Sequence, residues 1–173
     1  MKSQKQPPIT LTIAGSDSGG GAGIQADIKA MSATGSFASS VITAVTAQNT
    51  QGVSAIHSIP TDFVEAQLES VFSDMRIDAV KIGMLSDANT ILMIARILKK
   101  YQPKYIVLDP VMVATSGDVL LQSEAVSSLV EQLIPLVDLI TPNLYEAHVL
   151  LNKELDDLPN TNKALEDCSK QLI

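Results

Sequence analysis

The stretch ITLTIAGSDSGGGAGIQADIK, residues 9–29, passes from an apolar β-branched run through a cluster of glycines into a helical pattern. Residues 9–14 have the composition of a buried strand, and residues 24–34 have the apolar spacing of an amphipathic helix. Between them Gly19, Gly20, Gly21 and Gly23 fill four of five positions. Glycine costs conformational entropy, so a tight turn alone would use one or two; four imply backbone that must curl or approach something closely. A strand, a glycine turn and a helix make the first half of a crossover unit, and a parallel sheet is the expected outcome.

Working outward, further strand-like runs rich in Val, Ile and Thr occur at residues 41–47, 79–82, 105–108 and 139–141. Helical patterns at 62–73, 87–101 and 123–133 separate them. The expected fold is therefore α/β, with a mostly parallel central sheet flanked by helices in three Rossmann-like layers. A single domain is expected over residues 1–173, after a polar leader at 1–8. Asn160 to Ile173 reads as a further helix that stops without a glycine or polar cap, so the domain is expected to be incomplete at its C-terminus.

Composition narrows the function classes. With 46% hydrophobic residues the chain can bury a sizeable core, and 12 Lys and Arg against 19 Asp and Glu give a net charge of -7. No basic cluster occurs, so neither nucleic acid nor an anionic membrane is an expected partner. The longest apolar run near the start has six residues before Gly15, too few for a signal-peptide core, and no span reaches the roughly 20 residues of a bilayer crossing. Cys168 is the single cysteine, so no intrachain disulfide forms, and a cytoplasmic location is expected.

In an open parallel sheet, ligands bind outside the carboxyl ends of the strands. The unusual sequences here all follow strands: GSDSGGGAGIQAD at 15–27, TAQN at 46–49, GML at 83–85, DPVM at 109–112 and TPNLYEA at 141–147. Their common edge describes a ligand site. The first loop, followed by a helix N-terminus, can offer unpaired N–H groups to an anion or a small polar ligand. It is not a Walker phosphate loop, since GxxxxGK[ST] is absent. Gly21, Gly23 and Ala26 match a GxGxxA dinucleotide fingerprint, but no Asp or Glu occurs between Asp27 and Asp62 to hold a ribose.

Gln48 ends an apolar strand with an amide that donates and accepts, which suits a heteroaromatic ring; bonding to backbone is its alternative role. Asp27, a helical turn beyond Gly23, can accept from a substrate hydroxyl or simply favour the helix dipole. Met84 and Val111 offer apolar walls or ordinary core. Asp109 and Glu146 are acids at adjacent strand ends that suit magnesium and phosphate, often through water. Asn143 and Glu146 also have the spacing of a capping box, with Asn as the cap. Neither His57 nor His148 has a metal-ligand partner at suitable spacing, and no GxSxG elbow is present.

TIAGSDSGGGAGIQADIK (12–29), VITAVTAQNTQGV (41–53), KIGML (81–85), LDPVMVATSGDVLL (108–121) and ITPNLYEA (140–147) closely resemble successive motifs of the bacterial hydroxymethylpyrimidine/phosphomethylpyrimidine kinases of thiamine biosynthesis, in the ribokinase-like superfamily. The resemblance covers nearly the whole chain, which matches the N-terminal two thirds of such kinases. It implies ATP- and magnesium-dependent phosphorylation of 4-amino-5-hydroxymethyl-2-methylpyrimidine and then of its monophosphate. It places Gln48, Gly15, Ala22, Asp27, Met84 and Val111 around the pyrimidine, and Asp109, Asn143 and Glu146 on the ATP and phosphate side, with Asp109 and Glu146 near magnesium. Gln48 favours this substrate over a vitamin B6 compound, because the related pyridoxal kinases differ at that strand end. A pyridoxal-type kinase and a non-catalytic pyrimidine-binding or regulatory protein are the alternatives.

Two departures accompany the resemblance. Thr115 stands where the family usually has lysine. The family's nucleotide-contacting Lys-Gly-Gly region and its Gly-Thr-Gly-Cys anion hole, with the reactive cysteine, would lie beyond Ile173. No catalytic residue is therefore assigned up to Ile173, and impaired turnover is implied for this stretch alone. A full-length homodimer is implied as well.

Overall fold

A computed structural model describes residues 6–112, 121 and 123–151. The order is β1 (Ile9–Asp17), α1 (Gly23–Ala33), β2 (Phe37–Asn49), β3 (Gly52–Ser58), α2 (Thr61–Asp74), β4 (Ala79–Ile82), α3 (Ala88–Tyr101), β5 (Tyr105–Leu108), α4 (Ser123–Ser128), β6 (Leu139–Ile140) and α5 (Leu144–Leu151). α4 runs into a π turn at Leu129–Leu133 and a 3-10 turn at Ile134–Leu136. Three expectations fall outside the described residues: the helix at 160–173, the domain boundary at Ile173 beyond which the anion hole was expected, and the departure at Thr115.

The strands form one sheet in the order β3-β2-β1-β4-β5-β6, parallel except for the β2–β3 pair. β1 lies in its middle because its apolar run can be covered on both sides. Leu11 and Ile13 point into the cluster formed with Val64 and Leu68 of α2 and Ile91 and Ile94 of α3. Thr12 points the other way, to Asp27 of α1. Burying each such Leu or Ile contributes roughly 1.5–3 kcal/mol, so this face is a major source of the stability.

α3 shows why its sequence is helical. Asp87 caps it, accepting from Thr90 N–H at 2.9 Å; Lys99 and Lys100 lie in its last turn; and Gln102 ends it at φ 48°. Seven of its residues are buried, whereas α1 buries only Ile24.

Two departures from the expected strands affect the site. β1 continues past Ala14 to Asp17 through a register shift against β2 between Ala14 and Ser16, which re-aims the strand end beside the cavity described below. β3 is an antiparallel edge strand that the pattern GVSAIHS did not reveal, because its outer five residues are all exposed and carry no alternation. The sheet order reverses about β1: the chain leaves it for β2 on one side and returns to β4 on the other. Such a switch point opens a crevice at the carboxyl ends of the strands.

Candidate functional site

That crevice is a cavity of about 310 Å³ at the ends of β1, β2, β4 and β5. Gly15, Ala22, Asp27, Gln48, Met84 and Val111 all line it, and so does Asp109. Asn143 and Glu146 do not. The size suits a single-ring ligand, at the small end of ligand pockets.

The glycine-rich loop is organised by an acid within it. Asp17 is 5% exposed, and its Oδ1 accepts from Gly19 N–H at 2.7 Å while Oδ2 accepts from Gly21 N–H at 2.9 Å and Ala22 N–H at 2.8 Å. The N–H groups expected to await a ligand anion are thus already held by a carboxylate of the chain itself. Burial pushes the Asp17 carboxyl upward, but the bonds from the backbone N–H groups of Gly19, Ala22, Gly21 and Gly20 outweigh it and hold the group below its ordinary value. Gly23 then turns into α1 at φ 54°, and a Cβ there would run into the Gly15 carbonyl. Gln25 completes the loop, donating to Ser16 Oγ at 2.7 Å and accepting from Asp17 N–H at 2.8 Å.

The loop is also pinned to the end of β2. Ser18 Oγ donates to the Gln48 carbonyl at 2.7 Å and accepts from Gln48 N–H at 2.8 Å. These bonds satisfy the Gln48 backbone without using its side chain. The side-chain Oε1 lies 3.1 Å from Thr46 Oγ1, which also reaches the Ser16 carbonyl at 2.9 Å. Gln48 lines the cavity with its side-chain oxygen held by Thr46.

Across the cavity Asp27 accepts from Thr12 Oγ1 at 2.6 Å and from Lys81 Nζ at 3.2 Å, both at Oδ2. Lys81 Nζ also lies 3.5 Å from Asp109 Oδ2. Asp27 lies beyond the first turn of α1 and lines the cavity, while the carboxylate at that helix N-terminus is Asp17. Asp109 ends β5 through its N–H bond to the Ile82 carbonyl at 2.8 Å, and its side chain is 38% exposed.

Asn143 and Glu146 realise the capping box. Glu146 N–H donates to Asn143 Oδ1 at 2.9 Å, and Glu146 Oε2 accepts from Asn143 N–H at 2.8 Å. Glu146 is 4% exposed, with Oε1 facing Met112 N–H at 3.4 Å, so it fastens the DPVM loop to α5. Among the described residues no group of three or more His, Cys, Asp or Glu could enclose a metal. Magnesium commonly takes one or two carboxylates and completes its shell with water and phosphate oxygens; the solvent-facing Asp109 fits such a role directly, while the capping Glu146, whose Oε1 has only a long 3.4 Å contact with Met112 N–H, could serve it through water.

Asp17, Thr46 and Lys81 escaped the sequence reading. Lys81 had a visible signal, a charge in the otherwise apolar strand AVKI. Asp17 had a weaker one, an acid just ahead of three glycines that can fold the loop onto itself. His57 lies on exposed β3, and His148 packs edge-on to Tyr145 with its Nδ1 buried and without a hydrogen-bond partner among the described residues.

The chain is similar to known proteins in both sequence and fold. Residues 17–173 match the family model of phosphomethylpyrimidine kinase. A hydroxymethylpyrimidine/phosphomethylpyrimidine kinase of Escherichia coli (strain K12) is 56% identical over 142 residues, covering 82% of this chain and 53% of the relative. The crystal structure of a phosphomethylpyrimidine kinase from Clostridium difficile 630 superposes with a TM-score of 0.86 at 47% identity, over 95% of this chain and 70% of that one. A pyridoxal kinase of Bacillus subtilis, solved as an ADP complex, gives 0.84 at 36% identity, over 96% and 62%. The chain thus spans about half the length of the curated Escherichia coli relative.

Proposed function

The chain belongs to the phosphomethylpyrimidine kinase family, and from that premise we propose that its cavity binds 4-amino-5-hydroxymethyl-2-methylpyrimidine and its monophosphate for ATP-dependent phosphorylation in thiamine diphosphate synthesis. The observation that carries this reading is the convergence of Gly15, Ala22, Asp27, Gln48, Met84 and Val111 on one ring-sized cavity with Asp109 beside them. Gln48 reads the ring through its amide, Met84 and Val111 cover the apolar ring faces, and Asp27 accepts from the hydroxymethyl group through its remaining oxygen. Holding the hydroxyl in one place contributes to rate by removing orientational freedom before reaction.

Asp109 is the residue that would hold magnesium, with Glu146 on the same side, and the ion when bound would neutralise charge on the phosphates of ATP, the phosphoryl donor. Asn143 and Glu146 sit on the same phosphate side and also fix the DPVM loop that carries Asp109. The likeness to the Bacillus subtilis pyridoxal kinase makes a vitamin B6 compound the competing ligand. The intact protein works as a homodimer in the cytoplasm, with no nucleic acid or membrane partner. Among the described residues, no helix is long and apolar enough to cross a membrane.

The test is to incubate the intact protein with magnesium, ATP and either the pyrimidine or pyridoxal, and follow new phosphate esters by phosphorus NMR. Formation of the pyrimidine monophosphate and then diphosphate is expected. Saturable pyrimidine binding without any ester would instead identify a binding protein, and preferential phosphorylation of pyridoxal would identify a B6 kinase.

A further inference from the structure

Lys81 is the one cation among the described residues that line the cavity, against the carboxylates of Asp17, Asp27 and Asp109. Asp17 is committed to its own loop. Lys81 therefore faces the other two, at 3.2 Å from Asp27 Oδ2 and 3.5 Å from Asp109 Oδ2. An ammonium has three donors; Asp27 accepts from one, and Asp109 stands at ion-pair distance. A neutral pyrimidine alcohol needs no cation in such a place. A phosphomonoester does, because its negative charge would otherwise meet two carboxylates in a partly desolvated cleft.

The chain makes room for this side chain. A Cβ at Gly83 would lie 2.9 Å from Lys81 Nζ and 3.0 Å from Ala14 Cβ. Gly83 is not among the positive-φ glycines, so space rather than backbone conformation explains the glycine of KIGML. Lys81 rises from β4 past this bare position toward the carboxyl edge, where Asp27 and Asp109 receive it.

We propose that Lys81 is the specificity residue that admits the phosphorylated form of the substrate, with Asp27 and Asp109 positioning its ammonium and Gly83 keeping its path open. The inference rests on the pyrimidine reading of the cavity, and extends it by assigning the charge that lets one pocket take both a neutral alcohol and its phosphate ester.

Calorimetric titration of the intact protein with the pyrimidine alcohol and with its monophosphate separates the two ideas. Lys81→Met should weaken the monophosphate by roughly ten- to a hundredfold, the range for losing a hydrogen bond to a charged group, while the alcohol changes far less. Lys81→Arg should restore most of the monophosphate affinity. Gly83→Ala, which keeps the lysine but displaces its tip, should show a smaller loss again confined to the monophosphate, and it carries the test should Lys81→Met not fold. Equal losses for both ligands, or no loss, would overturn the role of Lys81. A wild-type protein that binds the alcohol normally keeps the pyrimidine reading intact in that event; one that binds neither ligand overturns the pyrimidine reading itself.

Discussion

At the β1–β2 end of the cavity the polar groups hold one another, whereas at the β4–β5 end they retain capacity for something else. Asp17, Ser18 and Gln25 spend their hydrogen bonds on neighbouring backbone and side chains. Lys81 and Asp109 keep side chains 23% and 38% exposed and share a contact of 3.5 Å. The first end is rigid because the donors of the glycine loop meet acceptors within the chain, so it can present Gln48 in one orientation. The second is charged and open, as the proposed exchange of magnesium, nucleotide and phosphate requires. One cavity thus joins a shape-reading wall to an electrostatic one.

The largest effect should come from breaking the rigid end. Asp17→Ala leaves the N–H groups of Gly19, Gly21 and Ala22 without their acceptor, and a loss of about 3 kcal/mol is expected in urea unfolding of the intact protein, with pyrimidine binding lost alongside. The pH dependence has a definite sign. The folded-state pKa of Asp17 lies below its ordinary value of 3.8, so its stabilisation is present above that value and disappears as pH falls through the lower folded value. The stability difference between wild type and Asp17→Asn should therefore be constant near neutrality and shrink only below about pH 3.8; a difference that fades already near pH 6 would contradict this assignment.

Next in size is the recognition contact. Gln48→Ala should lower pyrimidine affinity roughly tenfold or more while leaving nucleotide affinity nearly unchanged, since the amide belongs to the ring-reading wall. Equal loss for both ligands would erase the distinction between the two ends. Asn143→Ala should cost about 1 kcal/mol of stability, the usual worth of a helix cap, and lower turnover by loosening the loop that carries Asp109. Smallest of all is Lys100→Ala: its bridge to Glu69 at 2.7 Å is exposed and remote, so both ligand affinities should match wild type.

Much of this was readable in the chain, for identifiable reasons. The parallel sheet followed from alternating strand and helix periods, and the rule that ligands gather at strand carboxyl ends singled out the loops carrying Gln48, Asp27, Met84, Val111 and Asp109, while choosing between ligand and structural roles for these residues took the family resemblance. What stayed hidden depends on closure in space. Asp17 neutralises its own loop only after the chain curls back through Gly20 and Gly23, both at positive φ. β2 begins at Phe37, earlier than its apolar run, because Ser39 and Ser40 pair with β1 and Ser39 Oγ donates to the Thr10 carbonyl at 3.0 Å. Glu146 read equally well as a phosphate-side acid or a capping residue, and only the bond to Asn143 N–H puts it in the cap. Lys81 sits in a strand whose period describes packing, so nothing in the pattern announces that its ammonium travels to the edge.

The most direct test of the two-ended pocket is isothermal titration of the intact protein, without nucleotide, against 4-amino-5-hydroxymethyl-2-methylpyrimidine and, in parallel, pyridoxal. The rigid wall exists before nucleotide arrives, so the pyrimidine should bind saturably at one site per chain and more tightly than pyridoxal, with that preference abolished by Gln48→Ala. Absence of pyrimidine binding to the folded protein, or a preference for pyridoxal that survives Gln48→Ala, would contradict the account.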